Sequence, residues 1–424
     1  MSKTVKHIHI IGVGGIGTSA LAQYYLKKGL IVSGSDAARS EVTDSLKAKG
    51  IRVTIGHLAE NVRGADLVIH SAAVKEGNEE FDAAKLAQIP TKLYAEAMGE
   101  ITKNYTTIAV SGSHGKSTTT AMIAKILIDA GLDPTVIVGT KMHELGGNNF
   151  RMGEGELLVL EADDYNRHFH NYHPTIAVVT NVDAEHLDIY KNLSGVKEAF
   201  VKFLQGTKQG GTIIANGADK NTVEVIKKTD LLKHQVILYN ETDLARHDLG
   251  VPGEHNESNA EAAFWVAKTV GVDEQQIKKS LGAFRGSWRR LEEIKEGVYT
   301  DYAHHPTEIK ATLRALKQAN PDKQLICVFQ PHQRDRLNKL FNDFKHSFVS
   351  ADQLYLIPLY TAKGRDSDSG EDSESLAKII TNPAAVYFDS FAEAFEQVKP
   401  FFTDANIVVF MGAGDIDDEL RRSI

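Results

Sequence analysis

Residues 107–118 read Thr-Ile-Ala-Val-Ser-Gly-Ser-His-Gly-Lys-Ser-Thr. The apolar run over 107–110 predicts a buried strand, and the pattern over 116–129 predicts a helix, so the glycines fall in a strand–turn–helix. In that setting the backbone N–H groups of Gly112, Ser113, His114 and Gly115 can cradle phosphate oxygens at a helix N-terminus. Lys116 supplies a point charge, and the hydroxyl of Ser117, followed by Thr118 in the same turn, can ligate Mg²⁺. The common phosphate loop has a glycine where this chain has Val110, so the match is to the G-K-S core and not to the general form. We read the segment as an ATP site; a bare turn is the bland alternative.

Outward from this loop, strands are expected at 157–160, 176–180 and 212–215. Ligands of open parallel sheets bind beyond the carboxyl ends of the strands. Glu161, in Glu161-Ala162-Asp163, stands at such an end and is a metal-ligand candidate; the alternative is a solvated carboxylate. His186 closes Thr180-Asn181-Val182-Asp183-Ala184-Glu185-His186 beyond another strand. As a neutral imidazole it could hold a second cation, although a lone histidine is more often structural.

Toward the N-terminus, residues 12–17 read Gly-Val-Gly-Gly-Ile-Gly, between a strand at 7–12 and a helix at 16–28. Gly12, Gly14, Gly15 and Gly17 fit G-x-G-x-x-G, in which the backbone turns tightly and approaches a pyrophosphate. Asp36 lies 19 residues beyond Gly17, after a strand at 30–34, where a carboxylate can accept from ribose hydroxyls. The motif predicts a nucleotide diphosphate site without choosing between NAD and another nucleotide. A further strand is expected at 67–71, and residues 91–104 read as polar and helical.

Beyond Arg285-Gly286-Ser287 the alternation resumes. Strands are expected at 298–300, 324–329, 353–358 and 406–411, with helices at 308–318 and 337–348. Residues 366–374, Asp-Ser-Asp-Ser-Gly-Glu-Asp-Ser-Glu, read as a solvated loop.

The chain has 424 residues, which at roughly 150 per domain suggests three domains. Apolar residues at 42% and charged residues at 25% exclude disorder and fibrous repeats. A net charge of −8 argues against broad nucleic-acid binding, while leaving room for a local anion site. The single cysteine, Cys327, forms no internal disulfide and fits a reducing, cytoplasmic setting. No apolar run approaches the ~18 residues of a membrane span, and residues 1–16 lack the apolar stretch of a signal peptide. The expected class is α/β: a Rossmann-like N-terminal domain (1–103), a central P-loop ATPase-like parallel-sheet domain (104–285) and a Rossmann-like C-terminal α/β domain (286–424).

Taken in order, these blocks resemble the Mur ligases over essentially the whole chain. Gly12–Gly17 with Val32-Ser33-Gly34-Ser35-Asp36 resembles the family's UDP-binding signature, and His70-Ser71-Ala72-Ala73-Val74 its next substrate loop. G-S-H-G-K-S is similar to the family's short phosphate loop, which explains Val110. E-A-D at 161–163, T-N-V-D-A-E-H at 180–186, G-E-H-N-E-S-N at 253–259, W-R-R at 288–290, D-Y-A-H-H-P-T-E at 301–308 and F-Q-P-H at 329–332 follow in the family's order.

The resemblance implies an ATP- and Mg²⁺-dependent ligase of peptidoglycan synthesis. It would act on UDP-N-acetylmuramate through an acyl phosphate, with L-alanine as the amino acid. By matching position, Gly12, Gly14, Gly15, Gly17, Ser35, Asp36, Ser71 and Ala72 would hold the sugar nucleotide. Lys116 would hold ATP phosphates, Ser117 and Glu161 one Mg²⁺, and His186 a second. His255 and Asn259 would contact adenine, and Arg290 and Asp301 the phosphate and ribose. His332 and Arg336 would bind the amino-acid carboxylate. Many members carry arginine after the F-Q-P-H histidine, where this chain has Gln333, with Arg334 one along. Sister ligases use a carbamylated lysine about fifteen residues beyond the His186 position; Val201 falls there, with Lys202 next, which favours alanine. No nucleic-acid or membrane partner is expected, and the oligomer is expected to be a monomer or weak homodimer. Three alternatives compete: a nicotinamide-dependent dehydrogenase, a non-catalytic nucleotide sensor, and a family member that recycles a whole tripeptide.

Overall fold

Strand Thr106–Ser111 is buried along nearly its whole length, as a central strand of a sheet covered on both faces must be. It is the fourth of seven in a sheet ordered Gln235–Tyr239, Thr212–Asn216, Ile176–Val179, Thr106–Ser111, Leu157–Glu161, Thr135–Met142, Asn148–Arg151. All neighbours are parallel except the last pair. The register aligns Val110 with Glu161 and Ser111 with Val179, so the chain leaves three central strands at one edge.

The computed structural model describes residues 5–240, 249–361 and 369–424. An N-terminal five-stranded sheet, entirely parallel, runs Arg52–Ile55, Ile31–Asp36, His7–Ile11, Leu67–His70, Thr91–Leu93. Its order reverses direction beside His7–Ile11, the strand that feeds the glycine loop. Such a crevice is where this class of sheet receives nucleotides. A C-terminal six-stranded sheet runs Glu292–Lys295, Val298–Asp301, Asn406–Met411, Gln324–Phe329, Gln353–Leu356, Ala385–Tyr387, with only the first pair antiparallel. The three-domain α/β architecture expected from sequence is therefore present.

The chain forms two compact units, Met1–Ala245 with Ser258–Leu281, and Arg246–Glu257 with Gly282–Ile424. In the first unit one apolar core runs from Ile8 and Ile10 of the first sheet through Met98 and Ile101 to Phe169, Phe200 and Phe203 under the second. Two clusters sandwich the C-terminal sheet, one around Ile309, Cys327 and Phe348, the other around Ile326, Phe395 and Phe410. Cys327 is a buried free thiol whose pKa burial drives up. Among the described residues no helix is long and apolar enough to cross a membrane.

The structure adjusts several sequence readings. Residues 91–104 contain a three-residue strand, Thr91–Leu93, before helix Tyr94–Thr102. The helix expected at 337–348 spans Arg334–Phe344, with a break at Leu340. Of the acidic stretch 366–374, residues 366–368 lie outside the described residues. Asp372 caps helix Ser373–Ile379 by accepting from the Ser375 N–H at 2.8 Å, the usual work of an N-cap aspartate.

Candidate functional site

Helix Lys116–Asp129 starts from Gly115, whose φ of +81° is left-handed and costs a glycine little. A Cβ there would run into the amide of Asn259, which accepts from Thr119 Oγ1 at 3.1 Å. The loop before it is clamped from the next strand end. Ser113 N–H donates to the Asn181 carbonyl at 3.0 Å and His114 N–H to Asn181 Oδ1 at 2.8 Å. Thr180 Oγ1 donates to the His114 carbonyl at 2.6 Å, and His114 Nε2 meets Asp183 Oδ2 at 3.1 Å. The T-N-V-D run thus sets the shape of the phosphate loop.

The Lys116 ammonium donates to the carbonyls of Gly112 (2.6 Å) and Ser113 (3.1 Å) and to Asp164 Oδ1 (2.9 Å). Burial works against its charge, but Asp164 beside it, with Asp163 and Glu161 nearby, holds its pKa above the ordinary value. Ser117 Oγ donates to Glu161 Oε1 at 3.0 Å, and Glu161 Oε2 accepts from the Gly139 N–H at 2.6 Å. His186 stands in the left-handed region (φ +53°) with Nε2 4.0 Å from Asp164 Oδ2 and its ring edge-on to Tyr165. Lys116, Ser117, Glu161 and His186 are thus brought to one edge. Among the described residues Asp164 Oδ2 is buried without a hydrogen-bond partner. Asp164 Oδ2 beside the His186 imidazole, and the Ser117 hydroxyl paired with the Glu161 carboxylate, are oxygen and imidazole donors of the kind that suit a hard divalent cation such as Mg²⁺.

The N-terminal glycines and Asp36 also meet. Gly12 and Val13 N–H groups donate to the Ser35 carbonyl at 2.8 and 2.9 Å, and the Gly14 N–H donates to Asp36 Oδ2 at 2.8 Å. Gly12, with φ +78°, lies against Ser71, and a Cβ on Gly17 would meet Tyr94 Oη at 2.7 Å. Gly15 caps helix Ile16–Lys27, and Ala72 lies in the turn after Ser71. Ser35 differs: its side chain is fully buried and donates to Glu80, away from the loop.

In the second unit Arg290 lies 3.9 Å from Glu308 Oε1 and over the Tyr302 ring. His255 is pushed down to about 4 by burial and then by the Arg290 cation, against the opposing pull of Glu308. Asp301 is buried, accepting from the N–H groups of Leu291 (2.7 Å) and Ala303 (2.9 Å). Burial raises its pKa, against the Arg290 cation. His332 stacks on Tyr360 (5.5 Å between rings), and Arg336 Nη1 reaches the His332 carbonyl at 3.4 Å.

Residues 7–106 match the catalytic domain of the Mur ligase family, residues 110–250 the Mur ligase middle domain, and residues 289–414 the glutamate ligase domain of Mur ligases. The chain belongs to the Mur ligase family. A relative from Aquifex aeolicus, UDP-N-acetylmuramate–L-alanine ligase, is 41% identical over 98% of this chain and 96% of its own. One of the same name from Acetivibrio thermocellus is 38% identical over 97% and 94%. The solved UDP-N-acetylmuramate-alanine ligase of Thermotoga maritima superposes with a TM-score of 0.81 at 26% identity, covering 98% of this chain and 97% of that one.

Two residues of this Mur ligase escaped sequence reasoning. Asp164 directly follows the E-A-D triplet, and only the fold reveals it as the partner of Lys116. Arg289 precedes the expected Arg290, but its Nη2 donates to the carbonyls of Gly412 (2.5 Å) and Gly414 (3.0 Å), tying W-R-R to the last strand's exit. Of the two departures, Gln333 takes φ +66° at the start of helix Arg334–Phe344, while Arg334 donates to the carbonyls of Gly370 and Glu371. Lys202 is exposed on helix Leu193–Gln205.

Proposed function

We propose that this Mur ligase joins L-alanine to UDP-N-acetylmuramate with cleavage of ATP to ADP and phosphate, a step of peptidoglycan precursor synthesis. The observation that carries the reading is near full-length identity of 36–41% to ligases of that name. The buried Lys116–Asp164 pair beside Glu161 supplies the matching chemistry.

A carboxylate is a poor acyl donor because its oxygen leaves badly. Transfer of the ATP γ-phosphoryl group to the lactyl carboxylate gives an acyl phosphate, whose leaving group is phosphate. The neutral amine of alanine then attacks the acyl carbon, and the tetrahedral intermediate collapses to amide and phosphate. The protein's task is positioning and charge neutralisation, with no side-chain nucleophile. The N–H groups of residues 112–115 orient the phosphates, and Lys116 exchanges Asp164 for a phosphoryl oxygen. Ser117 and Glu161 would hold Mg²⁺, with His186 serving a second; bound there, the ions supply Lewis-acid charge to the phosphates. We assign His255 and Asn259 to adenine, Arg290 to phosphate, Asp301 to ribose, and His332 with Arg336 to the amino-acid carboxylate. Gly12, Gly14, Gly15, Gly17, Asp36, Ser71 and Ala72 take the sugar nucleotide; Ser35 acts from beneath. We further propose domains at 1–103, 104–285 and 286–424, a cytoplasmic location, and a monomer or weak homodimer.

The test is phosphate release by purified protein. It should require ATP, UDP-N-acetylmuramate and L-alanine together. Release that ignores the sugar nucleotide, or stabilisation by NAD but not by ATP or UDP-N-acetylmuramate, would overturn the reading.

A further inference from the structure

Glu80 lies in the first turn of helix Glu79–Leu86, capped by Asn78, whose side chain accepts from the N–H groups of Glu80 and Phe81 at 3.1 Å each. Its side chain is 0% exposed. One carboxylate oxygen accepts from Ser35 Oγ and meets His57 Nδ1 at 3.1 Å. The other accepts from Asn61 Nδ2 and lies 3.7 Å from His9 Nε2. His9 in turn meets Ser33 Oγ at 2.8 Å, and so does His7. Burial alone would raise the Glu80 carboxyl, but its donors win and hold it down at about 2.

A buried carboxylate is costly unless its lone pairs are filled, and apolar packing would serve stability as well. The placement of this one offers a reason for it. Ser35 is the residue whose carbonyl receives the Gly12 and Val13 N–H groups, and its neighbour Asp36 receives the Gly14 N–H. Next to Glu80, the Phe81 ring packs on His70 at 4.7 Å, one residue before Ser71. The helix that carries Glu80 therefore touches the strand whose Ser35 carbonyl braces the glycine loop and, through Phe81, the strand end at His70 that feeds the second proposed sugar-nucleotide loop.

We propose that Glu80 is a positioning residue for the sugar-nucleotide site: by fixing Ser35 from beneath, it sets the glycine loop before the UDP moiety arrives. The assignment rests on the functional reading above. Among the described residues the side-chain partners of Glu80 are Ser35, His57, Asn61 and His9, all outside the phosphate loop, so its loss should act on one substrate alone.

The experiment measures steady-state kinetics, and binding of UDP-N-acetylmuramate by calorimetry, for the wild type, Glu80→Ala, Glu80→Asp and Ser35→Ala. The expected result for Glu80→Ala is a KM for the sugar nucleotide raised about tenfold or more, with the KM for ATP and kcat within about twofold. Glu80→Asp recovers part of the loss. Ser35→Ala, which keeps the backbone carbonyl and removes one hydroxyl, shows a smaller rise of the same kind and covers the case in which Glu80→Ala does not fold. Folded variants that bind the sugar nucleotide as tightly as wild type would overturn the proposal, as would equal losses for both substrates. A wild type that binds no UDP-N-acetylmuramate would instead overturn the functional reading, and the assignment with it.

Discussion

The ammonium of Lys116 lies 2.9 Å from Asp164 Oδ1, with the aspartate side chain fully buried and the lysine nearly so. Removing one partner of such a pair leaves an uncompensated charge, so Lys116→Ala should lower stability by about 3 kcal/mol as well as abolishing phosphate binding. The double variant Lys116→Ala/Asp164→Asn should recover most of that stability and none of the turnover. Thermal unfolding and phosphate release, measured in parallel, separate the two effects. If the double variant is as unstable as the single one, the pair is not what the lysine contributes to the fold.

Glu161 accepts from Ser117 and from the Gly139 N–H, which fixes its carboxylate at the strand edge. Glu161→Gln keeps the shape and removes a charge. The Mg²⁺ concentration giving half-maximal rate should rise by about tenfold or more, with little change in melting temperature. An unchanged Mg²⁺ dependence would remove Glu161 from the ligand set.

Gly115 meets Asn259 across the helix start at φ +81°. Gly115→Ala forces a left-handed alanine worth about 1–2 kcal/mol and pushes Asn259 aside. The KM for ATP should rise more than the KM for the sugar nucleotide; the reverse order in the kinetics would contradict the placement of the two sites.

His255 is depressed to about 4 by burial and then by Arg290, against an ordinary value of about 6.5. The unfolded chain therefore binds a proton that the folded chain refuses. Stability from this group is full above about pH 6.5 and is lost as pH falls toward 4. Urea midpoints at pH 7 and pH 5 should differ more for the wild type than for His255→Gln. Equal differences would show that His255 is not buried as a neutral imidazole.

The central strands and the glycine turns were legible because glycine, lysine and carboxylate at strand ends have few other uses. Edge strands such as Thr91–Leu93 and Ala385–Tyr387 were not, since three residues give no periodicity. Asp164 stood beside a recognised triplet, yet its role comes from pairing with Lys116, 48 residues back, which no local pattern signals. Glu80 is one of two adjacent glutamates at a helix start. Its burial depends on Ser35, 45 residues away, and no local pattern distinguishes it from its exposed neighbour. Ser35 meets the glycine loop through its backbone carbonyl, while its side chain faces Glu80 rather than the loop.

The most direct test of the central claim is an amino-acid panel with ATP and UDP-N-acetylmuramate, following phosphate release. L-alanine should give the highest kcat/KM, with no release when either the sugar nucleotide or the amino acid is omitted. Preference for serine, for glycine or for an intact tripeptide would contradict alanine as the substrate, and release without the sugar nucleotide would contradict the ligase itself.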